Sequence, residues 1–236
     1  MPGKKKMTIL VTNDDGIDAP GLKLLEAAAK RLGRVVVVAP PAEQSGTGSA
    51  HSLMGRFVAE RCGKNRFELY VKNSIHTEGS RPFFVTALAT PIDCVRYGIH
   101  RFKPDLALVG VNHGANTGIN AMCSGTVCAA AMAGKLGVPV MAISMHAPDW
   151  EKTTWTPARL AELIKKLRTN FRYKDACMHV NIPPNWKRDL AIGFKRPSIG
   201  LYTAIAPNGK IKLVIPPETA RILNSEVIMW PIGFVC

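Results

Sequence analysis

The sequence lacks the features that identify several large classes of protein. No apolar run reaches the roughly 18 to 20 residues that a membrane-spanning helix requires. There is no CxxC pair, no GxGxxG fingerprint of dinucleotide-binding folds and no GxxxxGK[ST] loop of P-loop ATPases. We therefore expect an unexported cytoplasmic protein without a membrane partner, and we exclude these two nucleotide-binding motifs.

Acidic residues are also scarce. The chain has 17 Asp and Glu against 31 Lys and Arg, which gives a formal net charge of +14. A basic excess indicates either a solvated surface or a nucleic-acid-binding surface. The charge is spread along the chain with no arginine-rich run and no aromatic-basic RNA motif, so nucleic acid is not the expected partner.

The chain is apolar enough to form a substantial core. It has 236 residues, of which 47% are hydrophobic, and this composition excludes a disordered protein. One large α/β domain, with or without a small appendage, fits this length. Six cysteines fall among apolar neighbours, which predicts reduced and buried thiols. They are Cys62, Cys94, Cys123, Cys128, Cys177 and Cys236.

Strand and helix patterns alternate over the first 145 residues. The predicted strands cover residues 7–12, 35–38, 67–72, 105–110 and 138–144. The predicted helices cover residues 21–32, 90–97 and 126–136. Several of these strands are apolar on both faces, which is typical of parallel strands covered on both sides. The sequence therefore predicts an α/β fold with a three-layer, Rossmann-like, mostly parallel sheet and helices on both faces.

The second part of the chain has a different pattern. A helix over residues 156–169 and a strand over residues 177–182 are followed by short β-like pieces around Asn208-Gly209, a strong hairpin turn signal. These pieces cover residues 201–205, 211–215 and 226–230. We expect an α/β core over residues 1–192 and a small C-terminal β appendage over residues 193–236.

Three polar loops follow predicted strands at their carboxyl ends. Residues 13–16 (NDDG) follow the first strand, residues 45–48 (SGTG) the second, and residues 110–118 (GVNHGANTG) the strand DLALVG. In an open parallel sheet, ligands bind beyond the carboxyl ends of the strands, where the strand order reverses. We therefore expect the three loops to meet at one site.

The adjacent carboxylates of Asp14 and Asp15 have two interpretations. They repel each other unless a positive charge lies nearby, and the neighbouring Ser and Asn oxygens suit a hard divalent cation such as Mg²⁺ or Mn²⁺. Alternatively, they form a turn with a helix N-cap. The presence of the other two loops favours the metal.

Two further features have both a functional and a structural interpretation. Ser124-Gly125-Thr126 precedes an alanine-rich helix, and its free N–H groups suit a phosphate, although the same residues are also typical of an N-cap. His113 could donate a proton to a phosphate oxygen or to the leaving group, or it could brace its loop.

Five stretches of this sequence together resemble one known family. They are ILVTNDDGIDAPGL, VVVVAPPAEQSGTGSAHSL, ATPIDCV, PDLALVGVNHGANTG and SGTVCAAAMAGKLGVPVMAIS, in this order over residues 7–145. In these motifs the chain resembles the SurE survival proteins, which are metal-dependent nucleoside monophosphate phosphatases.

The resemblance implies roles for individual residues. One divalent ion, Mg²⁺ or Mn²⁺, is expected in each subunit, and its implied ligands are Asp14, Asp15, Ser45 and Asn112. The residues implied to surround the substrate phosphate are Asn13, Asn116, Ser124, Gly125 and Thr126. For catalysis we favour Asp14 as the group that takes a proton from the attacking water, with Asp15 as its rival. Asn116 and His113 are expected to assist.

The resemblance also implies a function and an assembly. We expect hydrolysis of nucleoside 5′- and 3′-monophosphates, with short polyphosphate as a second substrate, by a homodimer or homotetramer. Past residue 150 the resemblance thins, and residues 193–236 are expected to form a divergent, shortened oligomerisation hairpin. Two other classes stay open: a nucleotide- or phosphate-binding module that has lost turnover and, less favoured, a nucleic-acid-binding protein.

Overall fold

The computed structural model describes most of the chain before residue 186 and four strands beyond it. The described ranges are residues 6–75, 83–116, 118–146, 148–170, 176–185, 191–193, 202–205, 210–214 and 226–231. The helices in these ranges are α1 (Pro20–Lys30), α2 (Pro91–Phe102), α3 (Gly125–Lys135) and α4 (Pro157–Asn170), with a 3₁₀ turn over Gly118–Cys123. Within these ranges no helix has both the length and the apolar character needed to cross a membrane.

The described strands form one sheet. They are β1 (Thr8–Thr12), β2 (Arg34–Ala39), β3 (Arg56–Gly63), β4 (Arg66–Ile75), β5 (Phe83–Leu88), β6 (Leu106–His113), β7 (Val140–Met145), β8 (Ala176–Ile182), β9 (Ala191–Gly193), β10 (Tyr202–Ile205), β11 (Lys210–Val214) and β12 (Glu226–Pro231). Their order is β3-β4-β2-β1-β6-β7-β8-β12-β10-β11-β9, and β5 pairs with β4.

The middle of this sheet is parallel. Neighbouring strands from β4 through β2, β1, β6 and β7 to β8 all pair in parallel. The chain leaves β1 on the β2 side and later returns to the other side of β1 as β6. The strand order therefore reverses at β1, which places a ligand-binding crevice at the carboxyl ends of β1 and β6.

Helices cover both faces of the parallel strands. On one face α1 and α4 bury Leu25 and Leu163, and on the other α2 and α3 bury Val95 and Ala129. Residues 36–38 of β2 are buried throughout, because alternate side chains enter the two cores. The predicted three-layer α/β fold is confirmed.

The predicted helix over residues 90–97 is real but longer. Its Thr90 cap forms a capping box with Asp93, and α2 continues to Phe102, whose ring packs on Phe67 with a centroid distance of 5.4 Å. The predicted Thr156 cap of α4 is also present, because its hydroxyl accepts the Arg159 N–H at 3.3 Å.

Two strands at one edge of the sheet were missing from the sequence prediction. β3 and β5 pair antiparallel with β4 on its two sides. β3 (RFVAERCG) has mostly exposed or half-buried residues. It therefore lacks the apolar run that identifies buried strands.

The expectation that the cysteines are buried is wrong at two positions. Cys94 and Cys177 are buried, whereas Cys62 on edge strand β3 and Cys123 at the end of the 3₁₀ turn are exposed. The five cysteines in the described part of the chain are free thiols, as expected, and Cys236 lies outside it.

The C-terminal strands extend the same sheet. β12 pairs antiparallel with β8, and β10 pairs antiparallel with both β12 and β11. The predicted short β pieces are therefore present, although Asn208-Gly209 lies outside the described residues. The proposed division at residues 192 and 193 stays a prediction.

The core makes a simple prediction about stability. Leu160 of α4 is fully buried, so Leu160→Ala should lower the free energy of unfolding by about 2 to 5 kcal/mol through lost burial and a residual cavity. Leu53 is 83% exposed, and Leu53→Ala should change it by no more than about 0.5 kcal/mol. Urea denaturation of both variants measures the difference, and similar losses would contradict this core.

Candidate active site

Hydrogen bonds bring the three predicted loops together at the carboxyl ends of β1 and β6. The Gln44 N–H, in the loop after β2, donates to the Asp14 carbonyl oxygen at 2.6 Å. The His113 N–H, at the end of β6, donates to Asp15 Oδ2 at 3.2 Å. The expected convergence is therefore observed, and the two aspartates lie at its centre.

Asp14 is buried against the first turn of α3. The Thr126 hydroxyl donates to Asp14 Oδ1 at 2.5 Å, and the Thr126 N–H donates to Oδ2 at 3.2 Å. Burial raises the pKa of Asp14, while these hydrogen bonds oppose the rise. The N-terminus of α3 also favours a negative charge at this position. The side chain of Asp14 is therefore fixed at both oxygens.

Asp15 is less buried, yet its charge is also disfavoured. Burial, and next the neighbouring charge of Asp14, raise the pKa of Asp15 to about 7, while the His113 N–H opposes the rise. Two carboxylates that both resist ionisation need a positive partner if both are to be charged near neutral pH. A cation between them would supply it.

Asn112 adds a neutral oxygen to this group. The pairing of β6 with β7 shifts between Gly110 and Asn112, so an extra residue turns the end of β6 at this point. Asn112 Nδ2 donates to the Gly114 carbonyl at 2.7 Å, which fixes the orientation of the amide. Asn112 Oδ1 lies 3.4 Å from Oγ1 of Thr126, the hydroxyl that binds Asp14.

The SGTG loop lies over the start of α3. A Cβ added to Gly125 would lie 3.2 Å from Thr47 Oγ1 and 3.0 Å from Asp14 Oδ2. The predicted ligand Ser45 is exposed and follows Gln44, the residue bound to the Asp14 backbone. The structure thus places Ser45 in the loop that borders the carboxylate pair.

The first turn of α3 already uses some of its donors. Ser124 is the N-cap, and its hydroxyl accepts the Val127 N–H at 3.2 Å. The Thr126 N–H is bound to Asp14. The N-cap interpretation is therefore confirmed for Ser124, whereas phosphate binding by Ser124, Gly125 and Thr126 stays a prediction.

His113 and Asn13 support their loops in this structure. The His113 ring is exposed and meets Trp150 edge to face, with a centroid distance of 6.0 Å. Asn13 is buried, and its Nδ2 donates to the Gly16 carbonyl at 3.0 Å across the NDDG turn. Bracing by both residues is observed, and their direct roles toward a substrate stay predictions.

Asn116 is fixed by residues that the sequence analysis did not select. Asn181 of β8 binds the backbone of Asn116, and Ser144 of β7 binds its side chain. His179 in turn contacts Ser144. The one available signal was the pair His179 and Asn181 at alternate positions of an otherwise apolar strand, and this pattern alone does not identify a contact.

The donor set fits a hard divalent cation. Asp14, Asp15, Asn112 and Ser45 offer oxygen atoms, which Mg²⁺ and Mn²⁺ prefer. Among the described residues no cluster of three or more His, Cys, Asp or Glu could hold a metal. A cation here would therefore depend on two carboxylates supplemented by neutral oxygens.

The chain is similar to known proteins in sequence and in fold. The family model "Survival protein SurE" matches residues 9–203. "5′-nucleotidase SurE 1" of Burkholderia lata is 40% identical over 189 residues, which cover 77% of this chain and 66% of that protein. "5′-nucleotidase SurE" of Christiangramia forsetii is 43% identical over 188 residues, which cover 76% and 66%. That of Prochlorococcus marinus is 33% identical over 203 residues, which cover 84% and 71%.

A solved structure agrees with these matches. The crystal structure of the SurE protein from Aquifex aeolicus superposes on this structure with a TM-score of 0.63 at 28% sequence identity. The superposed region covers 89% of this chain and 82% of the Aquifex chain. The chain spans about two thirds of the length of the curated relatives that it matches.

The raised pKa values predict a pH-dependent response to metal. Protons and cation compete for the carboxylates, so Mn²⁺ should raise the Tm more at pH 8 than at pH 6. Without metal, the folded-state pKa of Asp15 lies above its ordinary 3.8, and its contribution to stability is lost as the pH rises through about 7. Thermal unfolding with and without Mn²⁺ measures both effects. Equal Tm shifts at the two pH values would contradict the assignment.

The close approach of α3 to Asp14 predicts that Gly125→Ala weakens metal binding. The new Cβ would lie 3.0 Å from Asp14 Oδ2 and force the carboxylate to move, so the Tm rise caused by Mn²⁺ should shrink. Lys135→Ala is the control, because Lys135 is exposed at the opposite end of the same helix. An undiminished shift in Gly125→Ala would show that Asp14 does not bind the metal.

Proposed function

The chain belongs to the SurE survival protein family, and on this premise we propose that it is a metal-dependent phosphomonoesterase that hydrolyses nucleoside 5′-monophosphates to nucleoside and phosphate. The observation that carries the proposal is the pair Asp14 and Asp15, held between the α3 N-terminus and the end of β6. Nucleoside 3′-monophosphates and short polyphosphate are further proposed substrates.

The proposed metal ligands are the two aspartates with Asn112 and Ser45, and the proposed ion is one Mg²⁺ or Mn²⁺ per subunit. When bound, the cation supplies positive charge that polarises the phosphoryl group and offsets the charge that develops during transfer. Thr126 supports this role because it holds both oxygens of Asp14 in one orientation.

A carboxylate accepts the proton of the attacking water in this proposal. Asp14 is our first candidate, since it is a proposed ligand next to a second carboxylate. Asp15 is a strong rival, because both oxygens of Asp14 accept hydrogen bonds from Thr126 and the pKa of Asp15 is about 7. A group with a pKa near the working pH is well suited to proton transfer.

The substrate phosphate is proposed to lie between the start of α3 and the loop after β6. Asn116 and the helix N-terminus would stabilise its negative charge, and His113 would donate to a phosphate oxygen or to the leaving group. The fixed backbone of Asn116 supports this assignment, because a preorganised group loses little entropy on binding.

The remaining parts of the proposal are a homodimer or homotetramer in the cytoplasm, with no nucleic-acid partner. The assembly and the absence of nucleic acid rest on the family resemblance and on the scattered basic residues. The free thiols are compatible with a reducing compartment.

Phosphate release from a panel of nucleoside monophosphates, with Mn²⁺, Mg²⁺ or a chelator, tests the proposal. We expect metal-dependent release that falls by about 100-fold or more in Asp14→Asn, because the variant loses a negative ligand. Asp18→Asn is the matched control, since the Asp18 side chain is 83% exposed and pairs with Lys23 at 3.6 Å. It should retain the activity of the wild type.

Other outcomes would select the competing functions. Nucleotide binding without phosphate release at any metal would favour a binding module of the same fold. Nucleic-acid binding that falls steeply with salt and survives Asp14→Asn would favour the third class.

A further inference from the structure

The loop after β6 rests on a buried polar network that has no assigned role. Ser144 of β7 and both His179 and Asn181 of β8 are buried. Ser144 and Asn181 bind Asn116, and His179 contacts Ser144. Polar side chains are rare inside a parallel sheet unless their hydrogen bonds are satisfied. The position of this network under the loop after β6 indicates a role beyond packing.

Asn181 holds the backbone of Asn116 at both of its polar atoms. Asn181 Oδ1 accepts the Asn116 N–H at 2.9 Å, and Asn181 Nδ2 donates to the Asn116 carbonyl at 3.0 Å. The side-chain amide thus binds Asn116 as a neighbouring strand would. Because both residues are buried, each lost bond would leave an unsatisfied group.

Ser144 and His179 fix the side chain of Asn116. Asn116 Nδ2 donates to Ser144 Oγ at 3.0 Å, and Ser144 Oγ lies 3.0 Å from His179 Nε2. Burial lowers the pKa of His179 to about 3, so its ring is neutral near physiological pH. Asn116 is therefore held through its backbone and its amide at once.

The last two residues of β6, which lead into this loop, carry two contacts of the proposed active site. Asn112 Oδ1 lies 3.4 Å from Thr126 Oγ1, and the His113 N–H donates to Asp15 Oδ2. Past the irregular pairing, Asn112 and His113 lie opposite Ser144 and Met145 of β7, whereas residues 115 and 116 lie beyond the end of β6, so the sheet fixes only the near end of this segment. An anchor at Asn116 would hold the far end of this loop.

We propose that Asn181 is a positioning residue, which holds residues 112–116 through Asn116 so that Asn112 and the His113 N–H stay aligned with the two aspartates. Asn181 acts through Asn116 and is not assigned a contact with substrate. The part of this inference that concerns catalysis rests on the proposed function, whereas the part that concerns the loop does not.

The test compares Asn181→Ala with Leu163→Ala, a packing variant in the apolar core between α4 and the sheet that lowers stability. In Asn181→Ala, kcat should fall by about 10- to 100-fold with KM changed by less than about threefold. Amide hydrogen exchange of residues 112–116 should become about tenfold faster. Leu163→Ala should change neither at a temperature well below its Tm. Unchanged exchange in Asn181→Ala, or equal effects in both variants, would overturn the inference.

A second variant and a second readout keep the test decisive. Ser144→Ala removes one hydroxyl and should change kcat and exchange in the same direction by a smaller factor, which covers the case that Asn181→Ala does not fold.

If the wild type releases no phosphate, the proposed function fails. Exchange and the Tm rise caused by Mn²⁺ then decide the inference: faster exchange with a smaller Tm rise supports it, and no change in either overturns it.

Discussion

The burial of two adjacent carboxylates at the end of β1 is the constraint on which the site depends. Asp14 is buried and Asp15 partly so; burial raises the pKa of both, and the charge of Asp14 raises the pKa of Asp15 further. Such a pair is tolerated only where donors and positive charge meet it from several directions. The N-terminus of α3 and the end of β6 supply such donors to the carboxylates through Thr126 and His113. The loop after β2 binds the backbone carbonyl of Asp14 through the Gln44 N–H. The convergence of these elements follows from that requirement.

Each of the three loops is also fixed from outside. Arg66 of β4 donates to the Ile17 carbonyl at 2.8 Å and pairs with the buried Glu26 of α1, which holds the segment after NDDG. The loop after β2 is tied at Ser52, whose N–H and hydroxyl both donate to the buried Asp93 of α2 at 2.9 Å. The loop after β6 is tied by the network at Asn116. The three anchors come from different strands and helices, so the site depends on the whole parallel core rather than on local turns.

The sequence predicted the parallel core well, because most of its strands are apolar runs and three of its helices follow the caps Thr90, Ser124 and Thr156. It missed β3, whose exposed and half-buried residues produce no such run, and it missed β5 although FFVTAL is mostly apolar. It also predicted the three loops of the site, since each follows a strand end with unusual polar residues. The anchors were not predictable. Asn181 lies 65 residues from Asn116 along the chain. Asn181 belongs to β8 and Asn116 follows β6, and β7 lies between these two strands, so no local sequence pattern predicts the contact. For the same reason, the sequence could not show that Thr126 binds Asp14 across 112 residues.

The position of Asn181 connects the proposed active site with the C-terminal strands. β8 pairs in parallel with β7, where Asn181 lies opposite Ser144, and antiparallel with β12, where Val180 lies opposite Val227. A strand fixed on both sides can hold a side chain more rigidly than an edge strand, whose outer backbone groups have no partner in the sheet. The pairing of β12 with β8 therefore restrains the strand that carries the anchor of the loop after β6. Although the resemblance to the family is weakest in the C-terminal strands, they support the strongly matched part of the chain through this pairing.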